Sequence, residues 1–268
     1  MEYLNEALSL HKALGDRYSE GLDLINIGSA YVNLKDWPKA LEYFNLALPI
    51  VKTADDRRWT EAMVLSSIGR ATSSLGNAQE ALQYLNEALA IHKSLNNRIW
   101  EAHTLTDLGV AYDSLGQPEK ALDYFNQALT LTRAIAHHNG QASNLLRIAR
   151  VERNRGNLSE ARRRIEAALE INESLRTRVV NQESRTSFSA FRREYYVFYV
   201  DLLMRMGADA EALQANERAR ARGLLETLTE SRVDIRQGVD AQLLERACVA
   251  TTDQRRRAAA CTRANRRC

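Results

Sequence analysis

The chain has 268 residues, 45% hydrophobic and 26% charged, with only 12 Gly and 3 Pro. So little turn-forming material argues against an all-β protein, while abundant Ala, Leu, Glu and Arg favours helices. The net charge of +3 is uneven: residues 232–268 carry nine basic and four acidic side chains, net +5, leaving −2 for residues 1–231.

The first predicted element is a helix carrying Tyr3-Leu4-Asn5-Glu6-Ala7-Leu8, a hexapeptide that returns letter for letter at 84–89. Variants stand at 43–48 and 124–129, and alanines fall at 7, 47, 88, 128 and 168, a period of 40 with one insertion. Such a period marks a solenoid of helical units, each unable to bury its apolar face alone. Residues 1–15 read as the second helix of a partial repeat, as if cut from a longer array. Full repeats are expected at about 18–55, 58–96, 98–136 and 138–180.

Within each full repeat the first helix reads Leu24-x-x-Ile27-Gly28-x-x-Tyr31, then Leu65-x-x-Ile68-Gly69-x-x-Thr72, then Leu105-x-x-Leu108-Gly109-x-x-Tyr112. The last is a degenerate Leu145-x-x-Ile148-Ala149-x-x-Glu152. Apolar spacing of three and four is helical, and the small residue lets two helices approach closely. Turns follow at Lys35-Asp36, Gly76-Asn77, Gly116-Gln117 and Gly156-Asn157, where Gly suits a left-handed helix end. Second helices then carry Ala40, Ala81, Ala121 and Ala161, with Phe44, Leu85, Phe125 and Ile165 one turn on. Pro38 and Pro118 suit a first helical turn. Pro49 lies inside the pattern, so a kink or early helix end is expected there.

After Leu175 the register fades. Phe188, Phe191, Tyr195, Phe198, Tyr199, Leu202 and Met206 form an aromatic helical stripe, and a second amphipathic stretch runs from Asp209 to Thr229. Residues 181–230 therefore read as capping or connector helices that seal the solenoid. Residues 231–268, rich in Arg and Cys and without apolar period, read as connector and disordered basic tail.

The repeat pattern Leu-x-x-Leu-Gly-x-x-Tyr, then Ala, Phe and Ala at fixed offsets, resembles the tetratricopeptide repeat over residues 1–180. Two features depart from it. The period is 40 rather than 34, and the proline that ends the family's second helix is replaced by Lys52, Lys93, Arg133 and Glu173. Both match the long-repeat branch. The resemblance implies an all-α, right-handed superhelical solenoid of antiparallel helix pairs. Residues 185–242, with Tyr195-Tyr196-x-x-Tyr199-x-Asp201-Leu202-Leu203-Met204, Glu217-Arg218-Ala219-Arg220-Ala221-Arg222 and Ile235-Arg236-Gln237-Gly238-Val239-Asp240, resemble the connector of bacterial proteins joining such repeats to a CHAT domain. That domain is a caspase-like, separase-related cysteine protease, and it is not in this sequence.

In the repeat family the inner wall of the superhelix holds the ligand. Carried onto this sequence, the groove residues are Asn26, Ser29 and Asn33; Ser66, Ser67, Arg70 and Ser74; Thr106, Asp107 and Asp113; and Arg147, Arg150 and Asn154. Small polar side chains leave room for an extended peptide or a helix, and Arg147, Arg150 and Arg153 make a basic step suited to a carboxylate. A merely solvated face is the alternative. The Lys/Asn carboxylate clamp of chaperone-binding relatives is absent.

Catalysis is not expected. The CHAT pattern needs a His-Gly pair and a Cys in an Ala-Cys-x-Thr-Gly context; Ala247-Cys248-Val249-Ala250-Thr251 lacks the Gly, and none of His11, His92, His103, His137 and His138 precedes a Gly. A nucleophile without a positioned base is inert. All three cysteines (Cys248, Cys261, Cys268) lie in the tail, so no disulfide framework or metal cluster is expected. Arg162-Arg163-Arg164 and the tail arginines at 255–257 and 266–267 raise nucleic-acid binding, but no aromatics interleave with them and a solvated face is the expected reading. No apolar run approaches a membrane span and no basic-then-apolar leader opens the chain. These features together predict a cytoplasmic protein-interaction module without cofactor, the regulatory half of a CHAT-type protease system, with a protein or peptide partner and possibly the protease in cis. The alternatives are a freestanding scaffold or adaptor and, behind it, a nucleic-acid-associated regulator.

Overall fold

A computed structural model describes residues 1–53, 58–176 and 183–230. Among them every regular element is a helix. Helix α1 (Glu2–Leu14) packs on α2 (Arg17–Asn33), which pairs with α3 (Trp37–Lys52). The pairs α4 (Arg58–Ser74) with α5 (Ala78–Ser94), α6 (Arg98–Ser114) with α7 (Pro118–Ala134), and α8 (His138–Asn154) with α9 (Leu158–Arg176) follow. Helices α10 (Glu183–Arg205) and α11 (Asp209–Glu230) form a last pair. The antiparallel pairs stack as a right-handed solenoid, the predicted architecture.

The helix boundaries follow from local chemistry. Asp16, Asp36 and Asn97 cap α2, α3 and α6, their side chains accepting from the backbone N–H groups of Ser19, Lys39 and Trp100, as polar N-caps do. Each turn that lies wholly within the described residues carries a left-handed residue. Gly76, Gly116 and Gly156 supply it between first and second helices, and Lys35 stands there with φ 60° in the repeat that lacks the glycine. Between repeats the same role falls to Asn96 and Ala136, at φ 51° and 52°. A residue with a Cβ is strained in this region by about 1–2 kcal/mol, whereas Gly is not. Ala136→Gly is therefore expected to raise stability by up to about 1 kcal/mol, read as a higher urea midpoint; an unchanged or lower midpoint would refute the assigned turn.

Inside each pair the small residue and the large one meet as predicted. Leu24, Ile27, Leu65, Ile68, Leu105, Leu108, Leu145 and Ile148 are buried, together with Phe44, Leu85, Phe125 and Ile165. A Cβ built on Gly28 or Gly109 would stand 2.7 or 2.5 Å from the ring of Phe44 or Phe125, and one on Gly69 would stand 2.6 Å from Leu85. The fourth repeat admits Ala149 opposite the slimmer Ile165. Between repeats the contact turns polar in places: fully buried His92 lies against Ser66 and Trp100.

Pro49 does not break its helix. α3 continues through it to Lys52, ending one residue earlier in the repeat register than α5 and α7. α4 starts at Arg58 in the common register, so the inserted residue falls between the two helices. Helix α10 carries the solenoid on: Tyr195, Phe198 and Leu202 join the cluster of Phe125, Leu145, Ile148 and Ile165, and α11 packs on α10 through Leu203, Ala212 and Ala215. The predicted connector beyond 230, the tail and its cysteines lie outside the described residues.

Candidate functional site

The first helices of the repeats form the inner layer: α4 touches α6 and α6 touches α8, each across a whole repeat. Spacing of three and four keeps one stripe of each helix on this wall. On α2 the stripe is Asn26, Ser29 and Asn33, all exposed; on α4 it includes Arg70 and Ser74, also exposed. On α6 it holds His103 and Asp107, and on α8 Ser143, Arg147, Arg150 and Asn154.

Charge concentrates at the centre of this wall. Asp107 lies within the fields of Arg70 and Arg147; burial pushes its carboxyl above the usual range and the two guanidinium groups oppose that rise. Asp113, exposed nearer the C-terminal end of α6, is raised by desolvation and eased by the same Arg147. Arg147 is half-buried and its Nε has no hydrogen-bond partner. Among the described residues neither Arg70 nor Arg147 has a carboxylate within ion-pair distance. The wall thus presents cation, anion and cation on three successive helices, none neutralised by direct contact.

Several predicted groove residues stand elsewhere. Ser66 is buried between repeats, its hydroxyl 3.0 Å from Thr104 Oγ1 and 3.5 Å from His92 Nε2; it does not reach the wall. Ser67 is 8% exposed and donates to the Met63 carbonyl. The Thr106 hydroxyl sits 2.9 Å from the Ala102 carbonyl and 3.0 Å from Asn144 Oδ1, tying α6 to α8. The basic step is also partly spent. Arg150 pairs with Glu194 at 2.6 Å, and Arg153 pairs with Asp201 at 2.8 Å while its guanidinium lies over the Phe198 ring. Only Arg147 of the three remains open to a ligand. Asn154, exposed, has its amide oxygen 3.3 Å from Arg153.

Sequence reasoning passed over His103 and His137. His103 sits four residues before Asp107 on the same stripe, so continuing the three-and-four spacing toward the helix N-terminus finds it. Nothing in the repeat pattern signals the acidic partners Glu194 and Asp201. The arginine run is held by carboxylates: Arg162 by Glu166 and Glu211, Arg163 and Arg164 by Glu160. Among the described residues no group of three or more His, Cys, Asp or Glu gathers as a metal site, and no helix is long and apolar enough to cross a membrane. Cys248 lies outside them.

Residues 60–134 match the family profile of the tetratricopeptide repeat. Among solved structures the chain is similar to BtubC (BKLC) from P. vanneervenii, with 15% identity, a TM-score of 0.68, and coverage of 84% of this chain and 90% of that one. It is also similar to the Rap conjugation gene regulator of the plasmid pLS20 in complex with the Phr* peptide, at 15% identity and TM-score 0.60, covering 80% of this chain and 56% of that one. A Rap protein complexed with competence and sporulation factor matches at 16% identity and TM-score 0.66, over 87% of this chain and 60% of that one. At such identities the likeness is one of fold. The search of the curated proteins gave no match.

Proposed function

We propose that this chain is a protein-interaction module that takes an extended peptide or a helix of a partner along its inner wall. The observation that carries the reading is the unneutralised row of Arg70, Asp107 and Arg147, set among small polar side chains. Exposed amides and hydroxyls at Asn26, Ser29, Asn33 and Ser74 suit the backbone of an extended segment, and the charged row suits a segment with side chains of opposite sign in matching order. Two similar folds were solved with a peptide or factor bound, which supports the class of ligand. The reading is tested by panning a random peptide library against the chain. Enriched peptides should be released by the double variant Arg70→Glu/Arg147→Glu, and retention by that variant would count against the groove.

The finer proposal is that the chain serves as the sensing half of a CHAT-type protease system. Its support is the connector-like sequence from Arg185 to Gln242 and the two ion pairs that link α8 to α10. A ligand carboxylate competing for Arg150 or Arg153 would loosen α10 from the groove helix, and so pass occupancy to the connector. A CHAT-type protease domain joined to or mixed with the chain should then change its cleavage rate when a captured peptide is added. An unchanged rate would leave a freestanding adaptor.

A further inference from the structure

Gly140 stands in the last full repeat where Trp100 stands in the preceding one and Thr60 in the one before that. A Cβ at this position would lie 2.7 Å from His137 Nδ1 and 2.8 Å from Thr132 Cγ2, so the glycine is what admits the imidazole. Beside it a recess of about 220 Å³ opens between α6 and the start of α8. There the rings of His103 and His137 meet edge to face at 5.5 Å. Buried Ala102 and Thr132 form the floor, and Asn139 and Ser143 stand at the rim. The volume falls below the ~300–1,000 Å³ of small-molecule sites; it suits one side chain or one chain terminus. Because His103 and Ser143 share their stripes with Asp107 and Arg147, the recess continues the inner wall.

Its hydrogen-bonding groups are unequally used. Asn144 is satisfied by the Gly140 carbonyl and Thr106, and Thr132 by carbonyls of its own helix. His137 Nδ1 is shut against Gly140 with no partner, which leaves Nε2 as the nitrogen of that ring open to a ligand. Among the described residues Ser143 and Asn139 make no side-chain hydrogen bond. Arg70 is the guanidinium whose field reaches His103, and it favours an anion there.

We infer that this recess is a subsite for one carboxylate of the groove ligand, held by the ring nitrogens of His103 and His137 with the Ser143 hydroxyl at the rim. The inference rests on the peptide-groove reading and gives it a chemistry. Empty, the site disfavours charge on His103: burial, His137 from the turn before α8 and Arg70 from α4 all hold its pKa below the ordinary imidazole value. Asp107 is the acidic group nearest it on its own helix stripe, and Trp100 packs on its ring. A bound carboxylate reverses the balance, so binding takes up a proton and tightens as the solution becomes more acidic.

The test is an NMR titration of the imidazole C–H signals in the intact chain, with N-acetylglutamate α-amide, with N-acetylalanine, and with sodium chloride at matched ionic strength. One of the two carboxylates should raise the His103 midpoint by about half a pH unit or more, and chloride should not. The glutamate probe alone acting means a side-chain carboxylate; the alanine probe alone acting means a peptide C-terminus. The rise should vanish in His137→Gln and in Ser143→Ala, two substitutions that leave Gly140 in place. No rise with either probe, or an equal rise in His137→Gln, overturns the subsite. Peptide capture dependent on Arg70 and Arg147 would survive that result, so the two readings fail separately.

Discussion

Gly109→Ala is expected to destabilise the chain by about 2 kcal/mol, although alanine is the better helix former. Propensity alone would favour the substitution by about 1 kcal/mol. The new Cβ would, however, stand 2.5 Å from the Phe125 ring, which is 1% exposed and has nowhere to go. Overpacking of this kind costs about 1–3 kcal/mol, and the depth of the overlap places it at the upper end. The fourth repeat shows the remedy, since Ala149 there faces Ile165. Gly109→Ala combined with Phe125→Ile should recover much of the loss in a urea midpoint. A single variant as stable as the parent would mean that α6 and α7 are not in this close contact.

Acid should unfold the chain partly through His92, a buried side chain between repeats. Burial pushes its pKa down from 6.5 to about 4, with Nδ1 unpartnered and with Ser66 and Trp100 against the ring. The folded pKa lies below the unfolded one, so above pH 6.5 both states are neutral and the group does not weaken the fold. As pH falls from 6.5 toward 4 the unfolded chain takes a proton that the folded chain refuses, and stability drops. The loss is about 2 kcal/mol between pH 7 and pH 5 and on the order of 3 kcal/mol below pH 4. His92→Leu keeps the volume and removes the titration. His103 shifts in the same direction but is retained in both proteins, so it cancels in the comparison. The variant should lose less stability than the parent on going from pH 7 to pH 5; parallel losses would place His92 in water.

What the sequence disclosed was whatever depends on local period. The glycine-against-aromatic contacts, the left-handed turns and the prolines at helix starts all follow from residues a few positions apart. A one-residue step on a helix turns a side chain by about a quarter of a circle, and there the reading failed. Ser66 and Ser67 look alike in sequence, yet Ser66 belongs to the interface between repeats. The basic step on α8 was visible, but Glu194 and Asp201, which neutralise two of its three arginines, lie more than forty residues away on a helix with no repeat signature. The Gly140 recess was hidden for a related reason. A missing side chain registers only against the bulk of Trp100 in the neighbouring repeat and the ring of His137 beside it. Pro49 lies so near its helix end that it disturbs few hydrogen bonds, and α3 stops only one residue short of its counterparts.

The central claim is that the inner wall, through Arg70 and Arg147, holds a partner segment. The most direct measurement is the calorimetric affinity of one library-derived peptide for the parent chain and for Arg70→Glu/Arg147→Glu, with the thermal unfolding of both recorded alongside. The account predicts at least a tenfold weaker affinity, about 1.4 kcal/mol or more, in a double variant that still unfolds cooperatively, though at a lower temperature, because Asp107 loses the two guanidinium groups that offset its burial. Equal affinity in a folded double variant would contradict it.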